Sequence, residues 1–227
     1  LELEDSLCPA PGAPEGAIAT AGQMAEQPDF EMLNQYANGA NPEAHYRTTG
    51  PEIWHQTSGR VTHFVAGLGT CGTINGSGKF LKEQNENVQI IGVHPPAGHD
   101  IPGVRSLEQL SQTEFFTPEE YDGLVEVAND PAFEMCQRLN QEESIPAAPS
   151  SGMALAGALD SIPDEPGNVV VVIFPDNIFK YASSVLSNIE GLGSAPASGS
   201  KREQLLDSMI ENARVNSHLA VDVGDAH

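Results

Sequence analysis

The chain has 227 residues, 39% of them hydrophobic, and carries 32 acidic against 10 basic side chains for a formal net charge of −22. A surface this acidic repels nucleic-acid phosphates and anionic lipid, which argues against both as partners. The longest apolar run, residues 169–174, falls far short of the roughly 20 residues a membrane helix needs.

The three cysteines, Cys8, Cys71 and Cys136, are widely spaced and form no C-x-x-C pair. That pattern fits a reducing, cytoplasmic setting and neither a disulfide framework nor a zinc site. His94 and His99 flank a Pro-Pro turn beside Asp100, a placement more typical of solvated loop histidines than of metal ligands. The acidic residues are dispersed rather than gathered in a tail. This fits a halophilic interior, where salt screens self-repulsion.

Taken in chain order, a turn-rich stretch at 9–14 leads into a helix at 17–26, and Asp29 is placed to cap a second over 30–36. Residues 38–42 read as a loop. Thr49, with Pro51 in the first turn and Glu52 three residues on, has capping-box spacing for a helix ending near Gly59. Residues 61–66 read as a buried strand, 67–72 as a Gly-rich turn, 73–84 as a helix and 88–93 as a second strand, which together make a βαβ unit. The alternation continues with a strand at 124–127, a helix at 132–143 entered through Pro131, a loop at 145–151, a helix at 152–159, an apolar strand at 169–174 and a helix at 179–188. Such alternation predicts an α/β fold with a twisted, mainly parallel sheet. A Gly/Ala/Ser/Pro linker at 191–200 precedes an amphipathic helix at 201–214 and a frayed end.

The segment Gly67-Leu68-Gly69-Thr70-Cys71-Gly72-Thr73 lies between strand and helix. Glycines let the backbone turn sharply, and the unpaired N–H groups and dipole of a helix N-terminus favour an anion. Thr70 and Thr73 add hydroxyls. A tight βα turn with no ligand is the plain alternative. A Walker loop fails here, because Thr73 stands where its first glycine belongs and Phe80 where its hydroxyl belongs. Gly67, Gly69 and Gly72 match a dinucleotide fingerprint, but no acidic residue closes the strand at 88–93 to take a ribose.

Four segments, in this order and spacing, resemble O-acetylserine sulfhydrylase, the fold-type II pyridoxal-phosphate family that makes cysteine. They are Asn41-Pro42-Glu43-Ala44-His45-Tyr46-Arg47-Thr48-Thr49-Gly50-Pro51-Glu52-Ile53-Trp54, the loop at 69–73, Pro149-Ser150-Ser151-Gly152, and the strand at 169–174 running into Pro175-Asp176 and Tyr181. The resemblance implies a tryptophan-synthase-β-like large domain over 27–190, with 1–26 as the end of the smaller domain and 191–227 as linker, helix and tail. It assigns the phosphate of pyridoxal 5'-phosphate to Gly69, Thr70, Cys71, Gly72 and Thr73, with Cys71 a passive small residue where the family often has glycine. It assigns the pyridine nitrogen to Ser150, a residue that equally suits a helix N-cap.

Ile101-Pro102-Gly103-Val104-Arg105 is similar to the loop at the mouth of the site in the B-type isozyme. Gly103 and Arg105 thereby become substrate-side residues, with Arg105 suited to an anionic sulfur donor such as thiosulfate or a carrier protein's thiocarboxylate. A plain surface arginine is the competing reading. The family's Schiff-base lysine and Thr/Ser-Gly-Asn loop have no counterpart here; Lys79, Lys82, Lys180 and Lys201 do not match the lysine motif. With Leu1 in place of Met, the expectation is a truncated and, by itself, inactive fragment. The intact enzyme is expected to be a cytoplasmic homodimer that replaces the leaving group of O-acetylserine or O-phosphoserine with sulfide or thiosulfate. A cystathionine β-synthase-like enzyme and a non-catalytic module that binds an anion or a partner protein are the alternatives.

Overall fold

The computed structural model describes residues 16–111, 113–181 and 185. Seven α-helices and four strands alternate along them. The strands are β1 (His63–Gly67), β2 (Gln89–His94), β3 (Gly123–Glu126) and β4 (Val170–Val172). All pair in parallel in the order β3-β2-β1-β4, with Val65 opposite Ile91 on one side and Val172 on the other.

Alternate residues of a strand face opposite sides of the sheet, and β1 feeds two cores in this way. Phe64 and Ala66 join Ile74, Leu81 and Ile90 under helices α3 (Thr49–Gln56) and α4 (Gly72–Gln84). Val65 joins Val93, Phe133 and Met153 under α6 (Asn129–Glu142) and α7 (Pro149–Ser161). The sheet is therefore sandwiched between two helical layers, and the middles of its central strands, Phe64–Ala66 and Ile90–Val93, carry no polar side chain because both faces are covered.

Four sequence expectations change. Residues 30–36 are not helical: the stretch runs irregularly into a turn, where Asn34 adopts a left-handed φ of 44° and its carbonyl receives the N–H groups of Ala37 and Asn38. The expected loop at 38–42 instead enters helix α2 (Ala40–Arg47). Asn38 Oδ1 accepts the Ala40 N–H at 3.0 Å, and Pro42 sits in the first turn, where its missing N–H costs nothing. Thr49 is the first residue of α3 rather than its cap, a position held by Thr48; the Thr49 hydroxyl meets His45 Nδ1 at 2.9 Å. Helix α7 begins three residues earlier than expected, so Ser150 lies in its first turn and Ala148 is the N-cap.

Helix α1 (Ala17–Ala25) and the strands otherwise agree with expectation to within two or three residues. A one-turn helix α5 (Leu107–Leu110) was not expected; Ser106 and Gln109 form its capping box. Of the expected last helix, residues Ile178–Tyr181 form a 3-10 turn, and most of the remainder lies outside the described residues, as do the linker and helix expected at 191–214.

Candidate functional site

The chain reverses direction across the sheet at β1, whose neighbours β2 and β4 lie on opposite sides. The crevice outside the carboxyl ends of strands at such a point is where α/β sheets bind ligands. The Gly-rich loop lies there. It is pinned at its base by Leu68, whose N–H donates to Val93 O at 2.9 Å and whose carbonyl accepts the Arg105 N–H at 2.8 Å.

Cys71 has φ 66° and ψ 3°, the left-handed conformation. It is followed directly by the right-handed turn of α4, and a left-handed/right-handed pair turns successive N–H groups into an anion-binding concavity. The first intrahelical bond of α4 is Asn75 N–H to Cys71 O at 3.0 Å, so the N–H groups of residues 72–74 have no partner within the helix. Cys71 itself is buried. Burial pushes its thiol up to about 11, against a smaller opposing effect of its hydrogen bond with Tyr121. The thiol thus stays protonated and unreactive at neutral pH, in keeping with a passive role.

Three other segments meet the loop. A Cβ at Gly69 would lie 2.7 Å from Gly103 O, so the two backbones touch. Gly103 has φ +79°, and a Cβ there would lie 3.8 Å from Tyr181 Oη. A Cβ at Gly67 would approach Met153 and Val104 at 3.3 Å and Ser150 O at 3.8 Å. The loop at 69–73, the segment 103–105 and the first turn of α7 with its buried Ser150 are thereby brought together.

Arg105 is only 4% exposed. Its Nη2 donates to Tyr36 Oη at 2.6 Å, and its guanidinium stacks 5.0 Å from the centre of that ring. It is therefore not a plain surface arginine, and Tyr36 is a partner that sequence reasoning missed. Tyr181 Oη donates to Asp176 Oδ2 at 2.6 Å; burial first, and then this bond, push the tyrosine up to about 12.

The three described lysines that follow the loop have other partners. Lys79 Nζ lies 5.4 Å over the Tyr46 ring, Lys82 pairs with Asp122 at 2.8 Å and Lys180 with Asp176 at 2.8 Å; Lys201 lies outside the described residues. His94 Nδ1 meets Pro95 O, His99 Nδ1 accepts the Ile101 N–H, and Asp100 pairs with Asn129.

Besides Tyr36, the features missed by the sequence reading sit on α2. Asn41 Nδ2 donates both to Gln35 O at 2.7 Å and to Thr70 Oγ1 at 2.9 Å. His45 Nε2 lies 3.2 Å from Thr73 Oγ1. The signal was present as two i,i+4 pairs, Asn41/His45 and Gly72/Gly76. A Cβ at Gly72 would overlap Asn41, and one at Gly76 would overlap Pro42 O.

Residues 3–176 match the family model described as pyridoxal-phosphate dependent enzyme. The chain is 42% identical over 170 residues to cysteine synthase B of Pseudomonas aeruginosa, covering 75% of this chain and 57% of that protein. It is 36% identical over 195 residues to a cysteine synthase of Staphylococcus aureus, covering 81% and 62%. Among solved structures it is similar to a hydrogen sulfide-producing enzyme in complex with an alpha-aminoacrylate intermediate, with TM-score 0.67 and 31% identity, covering 74% of this chain and 54% of that one. The chain spans little more than half the length of the cysteine synthase B relatives it matches.

Proposed function

The chain belongs to the family of pyridoxal-phosphate dependent enzymes, and we propose that it forms the phosphate-binding part of a cysteine synthase. The reaction is replacement of the leaving group of an acylated or phosphorylated serine by a sulfur nucleophile. The observation that carries this reading is the left-handed Cys71 between Gly69 and the start of α4, because that conformation, followed by N–H groups with no partner within the helix, suits a phosphate and nothing apolar.

The residues present fit the cofactor. The backbone N–H groups of residues 73 and 74 and the hydroxyls of Thr70 and Thr73 would take the phosphate oxygens, where charge-assisted hydrogen bonds are about twice as strong as neutral ones, while the Gly72 N–H is held by Thr70 Oγ1. The hydroxyl of Ser150, in the first turn of α7, would hold the pyridine nitrogen as a hydrogen-bond donor, which, unlike an acid, would leave that nitrogen unprotonated. Close contact of Gly69 with Gly103 fixes the distance between the phosphate end and the segment that bears Arg105. Arg105, its plane held by Tyr36, would serve as the cation for thiosulfate or a carrier's thiocarboxylate. When bound, the cofactor supplies an electron sink for bond cleavage next to the amino-acid α-carbon.

The test separates phosphate from ring. Titration of the chain with pyridoxal phosphate and with pyridoxal should give at least about tenfold tighter binding for the phosphorylated form, by the worth of one or more charge-assisted bonds. Inorganic phosphate should compete. Equal affinity for the two, or no effect of phosphate, overturns the assignment.

A further inference from the structure

Helix α2 crosses α4 at a two-glycine notch. A Cβ at Gly72 would overlap the Asn41 side chain, and one at Gly76 would overlap Pro42 O and lie 2.9 Å from His45 Cβ. This close approach brings Asn41 to Thr70 and His45 to Thr73. Both side chains line the notch, and the polar end of each also reaches a hydroxyl of the loop.

The hydrogen-bond valences of those hydroxyls are then nearly fixed. A threonine oxygen has two acceptor sites and one proton. Thr70 Oγ1 accepts from Asn41 Nδ2 at 2.9 Å and from the Gly72 N–H at 3.3 Å. Both acceptor sites are filled, so its proton is the one function left to use. The Asn41 amide is itself held, because its second proton goes to Gln35 O.

Thr73 is governed by the His45 ring. Burial lowers the proton affinity of His45, so at neutral pH the ring is neutral, with one donor and one acceptor nitrogen. Thr49 Oγ1 lies 2.9 Å from Nδ1 and Thr73 Oγ1 lies 3.2 Å from Nε2. With the proton on Nδ1, Thr73 spends its own proton on Nε2 and turns lone pairs toward the loop. With the proton on Nε2, the chain runs Thr49 O–H to Nδ1, then Nε2–H to Thr73 Oγ1, and the Thr73 proton stays available.

We propose that Asn41 and His45 are positioning residues that fix the hydroxyls of Thr70 and Thr73 as donors, so that the loop offers a bound phosphate donors only. The inference rests on the reading of residues 69–73 as the phosphate site. His45 acts through Thr73, with its proton on Nε2 while the anion is bound, and Asn41 acts through Thr70.

The experiment is titration of the full chain with inorganic phosphate, with a double-mutant cycle and a tautomer measurement. His45→Leu and Thr73→Val should each weaken binding on the order of tenfold or more, the worth of one hydrogen bond to a charged group. Their combination should be no weaker than Thr73→Val alone. His45→Gln, whose side-chain amide can take the place of the Nε2 donor, should recover most of what His45→Leu loses. Urea denaturation of each variant identifies any loss that comes from unfolding. Long-range proton–nitrogen correlation spectra of the phosphate complex should show His45 protonated on Nε2.

Additive losses in the cycle, failure of His45→Gln to rescue, or an Nδ1-protonated ring overturn the positioning role while leaving the phosphate site intact. Absence of phosphate binding by the unmodified chain overturns the site assignment and the inference with it.

Discussion

Replacement of Gly76 by alanine sets two effects of known size against each other. In an open helix interior, Gly→Ala stabilises by about 0.8–1 kcal/mol through propensity. At Gly76 the new methyl would overlap Pro42 O and lie 2.9 Å from both His45 Cβ and Tyr46 N, whereas ordinary contacts begin near 3.4 Å. Two of these three atoms are backbone, so no side chain can swing clear, and the overlap with Pro42 O requires α2 to retreat from α4 by roughly 1 Å. Overpacking of this kind costs about 1–3 kcal/mol, and more where backbone must move. The loss should win, with net destabilisation of about 1–2 kcal/mol. With a urea m-value of about 2 kcal/mol/M, that lowers the midpoint by about 0.5–1 M. Gly22→Ala in α1 is the control: nothing lies within 4 Å of its Cβ, so propensity acts alone and stability should rise. Phosphate affinity should fall in Gly76→Ala, since Asn41 and His45 move with α2. If Gly76→Ala stabilises as much as Gly22→Ala, the notch does not hold α2 against α4 and the reasoning fails.

Cys71 and Cys136 are buried, and burial raises their thiols to about 11 and about 12; a chromogenic disulfide at pH 8 should reach these two only when urea unfolds the chain, and rapid native-state labelling of either, located by peptide mapping, would contradict this. Borohydride reduction after incubation with pyridoxal phosphate, followed by peptide mapping, should leave Lys79, Lys82 and Lys180 unmodified, because each is held by another side chain. The carboxyl of Asp122 accepts the Ile90 N–H at 2.7 Å and pairs with Lys82. Burial opposes its ionisation, but these bonds outweigh burial and hold it below its ordinary value. A depressed folded value contributes stability above the unfolded pKa of about 3.9 that is lost as pH falls below it. Asp122→Asn should therefore flatten the acid limb of stability below about pH 4, and an unchanged limb would assign that dependence elsewhere. With a charge of −22, the thermal midpoint should rise from dilute buffer to molar potassium chloride, and a flat curve removes the halophile reading.

The sheet and the loop were legible because their signals are local. A continuous apolar run such as 169–174 admits few placements, and a strand followed by Gly67, Gly69 and Gly72 leaves little but a βα turn. Segment 38–42 was misread for an equally local reason: Gly39, Asn41 and Pro42 are breakers when taken singly. In the fold, however, Asn38 Oδ1 accepts the N–H of the first helical residue, Ala40, and Pro42 falls where proline is tolerated. The conformation of Cys71 was invisible, since a left-handed φ on a non-glycine residue is set by the structure around it. It also gives a physical reason for a glycine at this position in the family.

The cost of that left-handed residue bears on what the loop is for. A non-glycine residue at φ 66° stores about 1–2 kcal/mol, and the side chain gains part of this back by packing into the core with Leu68 and Ile74. The strain has a use if the N–H groups it aligns receive an anion, because the concavity then exists before binding and no ordering cost is met at that moment. The same logic covers α2. Its packing against Gly72 and Gly76 fixes two threonine hydroxyls in advance. Strain at Cys71, the glycine notch and the polar reach of Asn41 and His45 are thus one arrangement, in which rigid helices do beforehand what a flexible loop would have to do upon binding.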